Sequence, residues 1–203
     1  MSEFIPGELI LDPQRTAVVV IDLQKGIVGF PGNPHSVSGV IANAVALLEA
    51  ARSTGTQPIL VHVGRSTDGG DGLQVACDEP MRMPGALPPE WSELISELNR
   101  QPNDIVILKR QWGAFYGTDL ELQLRRRGLN TIILCGIATA YGVESTARDG
   151  YERGFEQVFA EDAMTSRTTE SHANAIANIF PRIGRVRSTA EIVAALGAGK
   201  SDS

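Results

Sequence analysis

Only two of the 203 residues are cysteine and only three are histidine. Two thiols give no disulfide framework, and a chain this poor in cysteine suits a reducing, cytoplasmic setting. His35, His62 and His172 show none of the spacings by which metal ligands are recognised in a sequence, so no metal and no organic cofactor is expected. Excess positive charge is missing too: the formal net charge is −6 and the isoelectric point is near 5.1. The run Arg125-Arg126-Arg127 closes a helical pattern, where cations complement the helix dipole, and nucleic-acid binding would need a broader basic face. No apolar stretch is long enough to span a bilayer, and the N-terminus is acidic rather than signal-like. The expected partners are a small-molecule substrate and other copies of the chain, not nucleic acid or membrane.

What is present is a succession of short apolar runs that end on functional groups. Thr16 to Ile21 leads into Asp22, and Asp104 to Leu108 into Lys109; Thr131 to Cys135 leads into the small-residue stretch from Gly136 to Gly142. Apolar runs without alternation suit strands covered on both faces, as in parallel sheets. Ligands in such sheets bind beyond the carboxyl ends of the strands, so Asp22, Lys109 and the turn through Gly142 are expected to converge. The pattern predicts strands near 16–21, 58–63, 105–109, 131–135, 156–160 and 184–187. Helices are predicted near 38–53, 90–99, 118–127, 143–153, 169–179 and 189–196. Strict alternation of the two implies a three-layer α/β/α, Rossmann-like domain with about six mostly parallel strands and helices on both faces. With 42% hydrophobic residues the chain has enough apolar mass for one such domain over 1–203. Residues 1–14 read as an N-terminal extension and 197–203 as a disordered tail. Thr118 with Glu121, and Ser188 with Glu191, have capping-box spacing.

The motifs Val20-Ile21-Asp22-Leu23-Gln24, Lys109 through Leu120, the elbow Gly136 to Arg148, and Ala160-Glu161-Asp162-Ala163 together resemble the isochorismatase-like hydrolase superfamily over nearly the whole chain. That superfamily includes nicotinamidases, N-carbamoylsarcosine amidase-like enzymes and isochorismatases. Its cysteine hydrolases use an Asp, Lys and Cys triad. The resemblance assigns the first two to Asp22 and Lys109 and puts Gly142 at the cysteine position. Isochorismatases also lack the cysteine and hydrolyse a vinyl ether with the aspartate as acid. The resemblance therefore implies a hydrolase in which Asp22 is general acid or base, Lys109 its electrostatic partner, and backbone N–H groups near Gly142 an anion site. Glycine there is expected to open space for substrate or water. It further implies a homo-oligomer and a cis peptide at Ala138-Thr139.

Ala138, Thr139 and Tyr141 of the elbow, with Trp112, Phe115 and Arg65, are the candidate substrate-binding residues. Trp112, Phe115 and Tyr116 follow Lys109 directly as a cluster suited to wall an apolar pocket, and core packing is the competing role for all three. Arg65 and Arg82 belong to the long irregular segment from Arg65 to Pro89, a candidate lid or subunit contact. Glu144 and Arg148 are spaced for a simple i,i+4 ion pair, and Cys135 reads as a buried core residue. Three readings stay open: hydrolysis of a small carboxylated or enol-ether substrate, hydrolysis of an amide or imide by Asp22-activated water, and ligand binding without turnover.

Overall fold

In a computed structural model, which describes residues 9–80 and 87–199, six strands form one sheet. They are β1 (Thr16–Ile21), β2 (Gln57–Val63), β3 (Ile105–Lys109), β4 (Thr131–Ile137), β5 (Glu156–Thr165) and β6 (Arg185–Arg187). Every pairing is parallel, in the order β3-β2-β1-β4-β5-β6. Among the described residues six helices flank it: α1 (Val37–Thr54), α2 (Leu120–Arg126), α3 (Glu144–Glu152), α4 (Thr169–Asn174), α5 (Phe180–Ile183) and α6 (Thr189–Ala198). The expected three-layer α/β fold is the observed one.

The central strand shows why unalternating apolar runs were informative. Val18 and Val20 of β1 pack with Ala44, Leu47 and Leu48 of α1 and with Ile192 and Leu196 of α6. Ala17, Val19 and Ile21 face the opposite way, toward Leu120 and Leu124 of α2, Val143 and Ala147. All six β1 residues are buried, and each large aliphatic side chain so placed contributes about 1.5–3 kcal/mol of transfer free energy. The strand order reverses between β1 and β4, so the crevice beyond their carboxyl ends is the topological switch point of the sheet.

Several predicted elements are corrected. Residues 90–99 form two 3-10 turns, Pro89–Ser92 and Ser96–Leu98, instead of an α-helix. Between them the backbone bonds go to the loop after β1: the N–H of Lys25 donates to Glu93 O at 2.9 Å and that of Ile95 to Leu23 O at 3.2 Å. Thr118 does not make a capping box; its hydroxyl donates to Ala114 O at 2.6 Å and accepts from Leu120 N, and α2 starts at Leu120. Ser188 and Glu191 do form theirs, at the start of α6. β5 runs five residues beyond its predicted end at 160, because its register against β4 shifts between Leu134 and Gly136 and a polar bulge around Glu161 and Asp162 interrupts the apolar pattern. Helical structure from Thr169 continues through a π turn, Ala175–Ile179, to Ile183. Pro181 lacks the N–H that a regular α-turn would need there.

The chain ends are better built than expected as far as they are described. α6 includes Gly197 and Ala198, and Gly199 packs so closely on Leu11 O and the Pro13 ring that a Cβ would collide with them. Leu11 itself is buried in the core. The rest of the expected tail, most of the expected N-terminal extension, and Arg82 lie outside the described residues. No helix among the described residues is long and apolar enough to cross a membrane.

Candidate active site

Asp22 follows β1 directly and adopts a left-handed backbone, φ 53°. A non-glycine residue seldom sits there, although Asp tolerates it better than most, and such outliers concentrate at functional sites. The conformation is held from both sides, since Asp22 N–H donates to Val61 O and Asp22 O accepts from Gln24 N–H, each at 2.9 Å. Gln24, fully buried, fastens the ends of β1 and β2 together. Its amide nitrogen donates to Val63 O at 2.9 Å and Trp91 O at 3.1 Å, and its oxygen accepts from Val63 N at 2.7 Å.

Lys109 ends β3, and its side chain reaches the carboxylate of Asp22: Nζ lies 2.7 Å from Oδ2. The ammonium also donates to the carbonyls of Gln111 at 3.0 Å and Trp112 at 2.8 Å, so its three N–H donors have three acceptors. Lys109 is 1% exposed and Asp22 5%. The second carboxylate oxygen, Oδ1, is buried without a hydrogen-bond partner. Burial pushes the Asp22 carboxyl up to about 6 from 3.8, against the downward pull of the Lys109 charge and hydrogen bond. The carboxylate is thus held by the Lys109 ammonium through one oxygen and not by backbone N–H groups.

The elbow closes the other side. Gly136 pairs with Ile21 at φ 112°, where only glycine fits, because a Cβ would collide with the Ile21 backbone. A cis peptide joins Ile137 to Ala138, one bond before the position the resemblance suggested. Thr139–Val143 is a π turn that runs into α3. Gly142 sits inside it, beside the carboxylate: a Cβ there would lie 2.9 Å from Ile21 Cγ2, 3.1 Å from Asp22 Oδ2 and 3.5 Å from Trp112 O. The expectation that glycine opens space is thus corrected. The position is filled by its neighbours, and the β-branched Ile21 has little rotamer freedom with which to yield.

A Gly142→Ala variant tests this packing. Overpacking of a tight core costs about 1–3 kcal/mol, whereas the helix propensity of Ala over Gly returns at most about 1 kcal/mol. A net loss of about 1 kcal/mol in chemical denaturation is expected; a variant as stable as the parent would show that the position is open.

The remaining candidates separate into two groups. Trp112 and Tyr141 stand at the site, their rings edge to face at 5.0 Å, with Trp112 49% exposed. Ala138 packs against the core at the head of the elbow. Phe115 is in the core instead, stacked on Phe155 at 5.5 Å with the Arg153 guanidinium beside it, so its side chain takes the competing role. Arg65 stands just past β2, with its aliphatic part near Gly72. Arg110 pairs with Asp71 of the long loop and Lys25 with Glu93. Glu144 and Arg148 make their i,i+4 pair at 2.9 Å. Cys135 is buried, and burial pushes its thiol up to about 12; Cys77 is exposed. His62 is satisfied by Ser92 O at 2.6 Å.

Thr139, expected as a substrate contact, is instead fully buried, and its hydroxyl bonds His172, with Oγ1 2.9 Å from Nδ1. His172 leads in turn to Glu161 and His35. This grouping was invisible in the sequence, where His35 and Glu161 stand 126 residues apart and only the fold brings them together. Burial, the largest influence on it, lowers the pKa of His172.

A three-layer α/β domain with a buried Asp–Lys pair at its switch point defines a class of enzyme scaffold, and comparison with known proteins says which. Residues 16–191 match the isochorismatase domain family. The isochorismatase family protein YecD of Escherichia coli is 50% identical over 188 residues, covering 93% of this chain and all of that one. The ureidoacrylate amidohydrolase RutB of Methylobacterium radiotolerans is 33% identical, covering 95% and 83% respectively. A solved isochorismatase family protein from Burkholderia thailandensis superposes with a TM-score of 0.89 at 45% identity, covering 93% of this chain and 98% of that one. The chain belongs to the isochorismatase family, and by that membership it is a hydrolase.

Proposed function

We propose that this hydrolase works without a nucleophilic cysteine, with Gly142 at the position the family's thiol occupies and Asp22 as the group that moves the proton. The substrate class is a small carboxylate bearing an enol ether. Asp22 protonates the terminal alkene carbon, water adds to the resulting oxocarbenium carbon, and the hemiketal collapses to a ketone and an alcohol. Lys109 holds the Asp22 carboxyl in place through Oδ2, which leaves Oδ1 to face the reacting carbon. Backbone N–H groups of the elbow around Gly142 receive the substrate carboxylate, with Trp112 and Tyr141 as apolar walls and Ala138 and Arg65 as further contacts. The observation that carries this reading is the Asp22 carboxyl: buried, bonded through one oxygen only, and at about 6 able to hold or release a proton near neutral pH.

The amidohydrolase relative favours a second reading, in which ionised Asp22 activates water to attack an amide or ureido carbonyl. The two readings need opposite states of the same carboxyl. As acid, Asp22 must be protonated, so kcat/KM falls as pH rises through about 6. As base it must be ionised, so kcat/KM rises through the same pH. The test follows pyruvate release from isochorismate and ammonia release from ureidoacrylate over roughly pH 5 to 8. Pyruvate release with a limb falling above about 6 is expected. Ammonia release with a rising limb would replace the first reading by the second, and no turnover of either would remove both substrate readings.

A further inference from the structure

We propose that His35, Glu161 and His172 form a binding site for one divalent first-row transition-metal ion, for which Zn2+ fits the donor set best. The three offer ligand atoms that all lie within 4.8 Å of one another. Glu161 Oε1 is 2.7 Å from His35 Nε2 and 3.4 Å from His172 Nε2, and the two imidazole rings meet edge to face at 5.4 Å. Zinc bonds of about 2.0–2.2 Å in tetrahedral array put ligand atoms about 3.4 Å apart. The His172–Glu161 distance already matches, and the His35–Glu161 pair needs to open by less than about 1 Å.

The donor chemistry selects the metal. Two imidazoles and one carboxylate suit zinc and its neighbours, whereas magnesium and calcium require mostly oxygen. Three protein ligands leave a fourth position open, and the side chains of His35 and Glu161, 31% and 32% exposed, give it an entry path; His172, at 3%, forms the floor.

Each ligand comes from a different, separately anchored element. The His35 carbonyl accepts from Thr165 Oγ1 at 2.7 Å. Glu161 projects from the bulge of β5, whose neighbour Asp162 accepts from both the N–H and the hydroxyl of Thr189 at 2.7 Å. His172 lies on α4, whose N-cap Thr168 accepts from Ser171 N. The ring nitrogen of His172 that faces away from Glu161 meets the Thr139 hydroxyl, the kind of outer hydrogen bond that fixes the ring of a metal-binding histidine. Thr139 and Gly142 share one π turn, so the ion would brace, through His172 and Thr139, the turn that carries Gly142.

The experiment uses the full-length protein stripped with a chelator, then titrated with Zn2+ by calorimetry, with metal analysis of the product. One Zn2+ per chain is expected, together with a zinc-dependent rise in Tm. Both are lost in Glu161→Gln and in His35→Ala, whose folds are checked by circular dichroism. Thr139→Val, which keeps side-chain shape and removes only the outer hydrogen bond, is expected to weaken zinc binding by about 10- to 100-fold. Cys77→Ser, which removes the exposed thiol, is expected to bind zinc as the parent does. No binding by the parent would show a hydrogen-bonded His–Glu–His brace and overturn the proposal. So would zinc retained in both ligand variants, or lost in Cys77→Ser.

Discussion

Asp22→Asn is expected to lower kcat/KM by about 10²- to 10⁴-fold, the usual worth of a positioned proton donor or acceptor. Asn matches the Asp side chain in size and still offers an oxygen to Lys109 Nζ, which keeps its bonds to Gln111 O and Trp112 O. The fold should therefore survive while the proton is gone. Stability supplies an independent readout. The folded carboxyl is raised from 3.8 to about 6, so the native state holds its proton more tightly than the unfolded chain does. The stability this contributes is complete below 3.8 and is lost as pH rises through about 6. A tenfold difference in proton affinity between the two states is worth about 1.4 kcal/mol, so the loss is on the order of 3 kcal/mol. Asn cannot titrate and lacks this loss. Denaturation at several pH values should show the variant gaining on the parent across that window. Full activity in the variant would remove Asp22 from the mechanism, and parallel stability profiles would show that its carboxyl is not raised.

The parts of the fold legible in the sequence are those that obey a local rule. β1 and β4 are read from their apolar runs because both faces of each are buried, and Asp22 and Lys109 stand out because each is a charge at the end of such a run. What depended on distant partners was not legible. Residues 90–99 carry helix-compatible side chains, yet their backbone pairs with Leu23 to Gly26. Glu161 and Asp162 look like the end of a strand because the bulge that carries them is defined by register against β4. The crowding at Gly142 depends on the side chain of Ile21, and glycine in the sequence reports no neighbour. The assembly of His35, Glu161 and His172 follows from β5 lying beside β4, where the elbow begins, and from the loop after β1 returning to Ser166. No spacing in the chain encodes it.

Lys109→Met is the second large effect, and its pH dependence carries the information. Breaking a buried ion pair by removing one partner typically costs about 3–5 kcal/mol, because the other charge is left uncompensated. Here the remaining partner has an escape, since burial already holds its carboxyl at about 6. Without the lysine, both of the causes that lower the Asp22 pKa vanish and desolvation acts unopposed, so the pKa rises further. At pH 5 the variant contains a neutral acid beside an apolar side chain and no buried charge. Its deficit there is the loss of donors to Gln111 O and Trp112 O, about 1 kcal/mol each. Toward pH 8 the full cost of an unpaired or newly protonated carboxyl appears, so the deficit grows with pH. Activity follows the same direction. If Asp22 is the acid, the falling limb of kcat/KM moves to higher pH, while the maximal rate drops because the carboxyl is no longer held toward the substrate. A lysine that merely supported the fold would lower the rate equally at every pH. A limb that stays at about 6 in the variant would mean that Lys109 does not set the ionisation of Asp22, and the pair would lose its place in the mechanism.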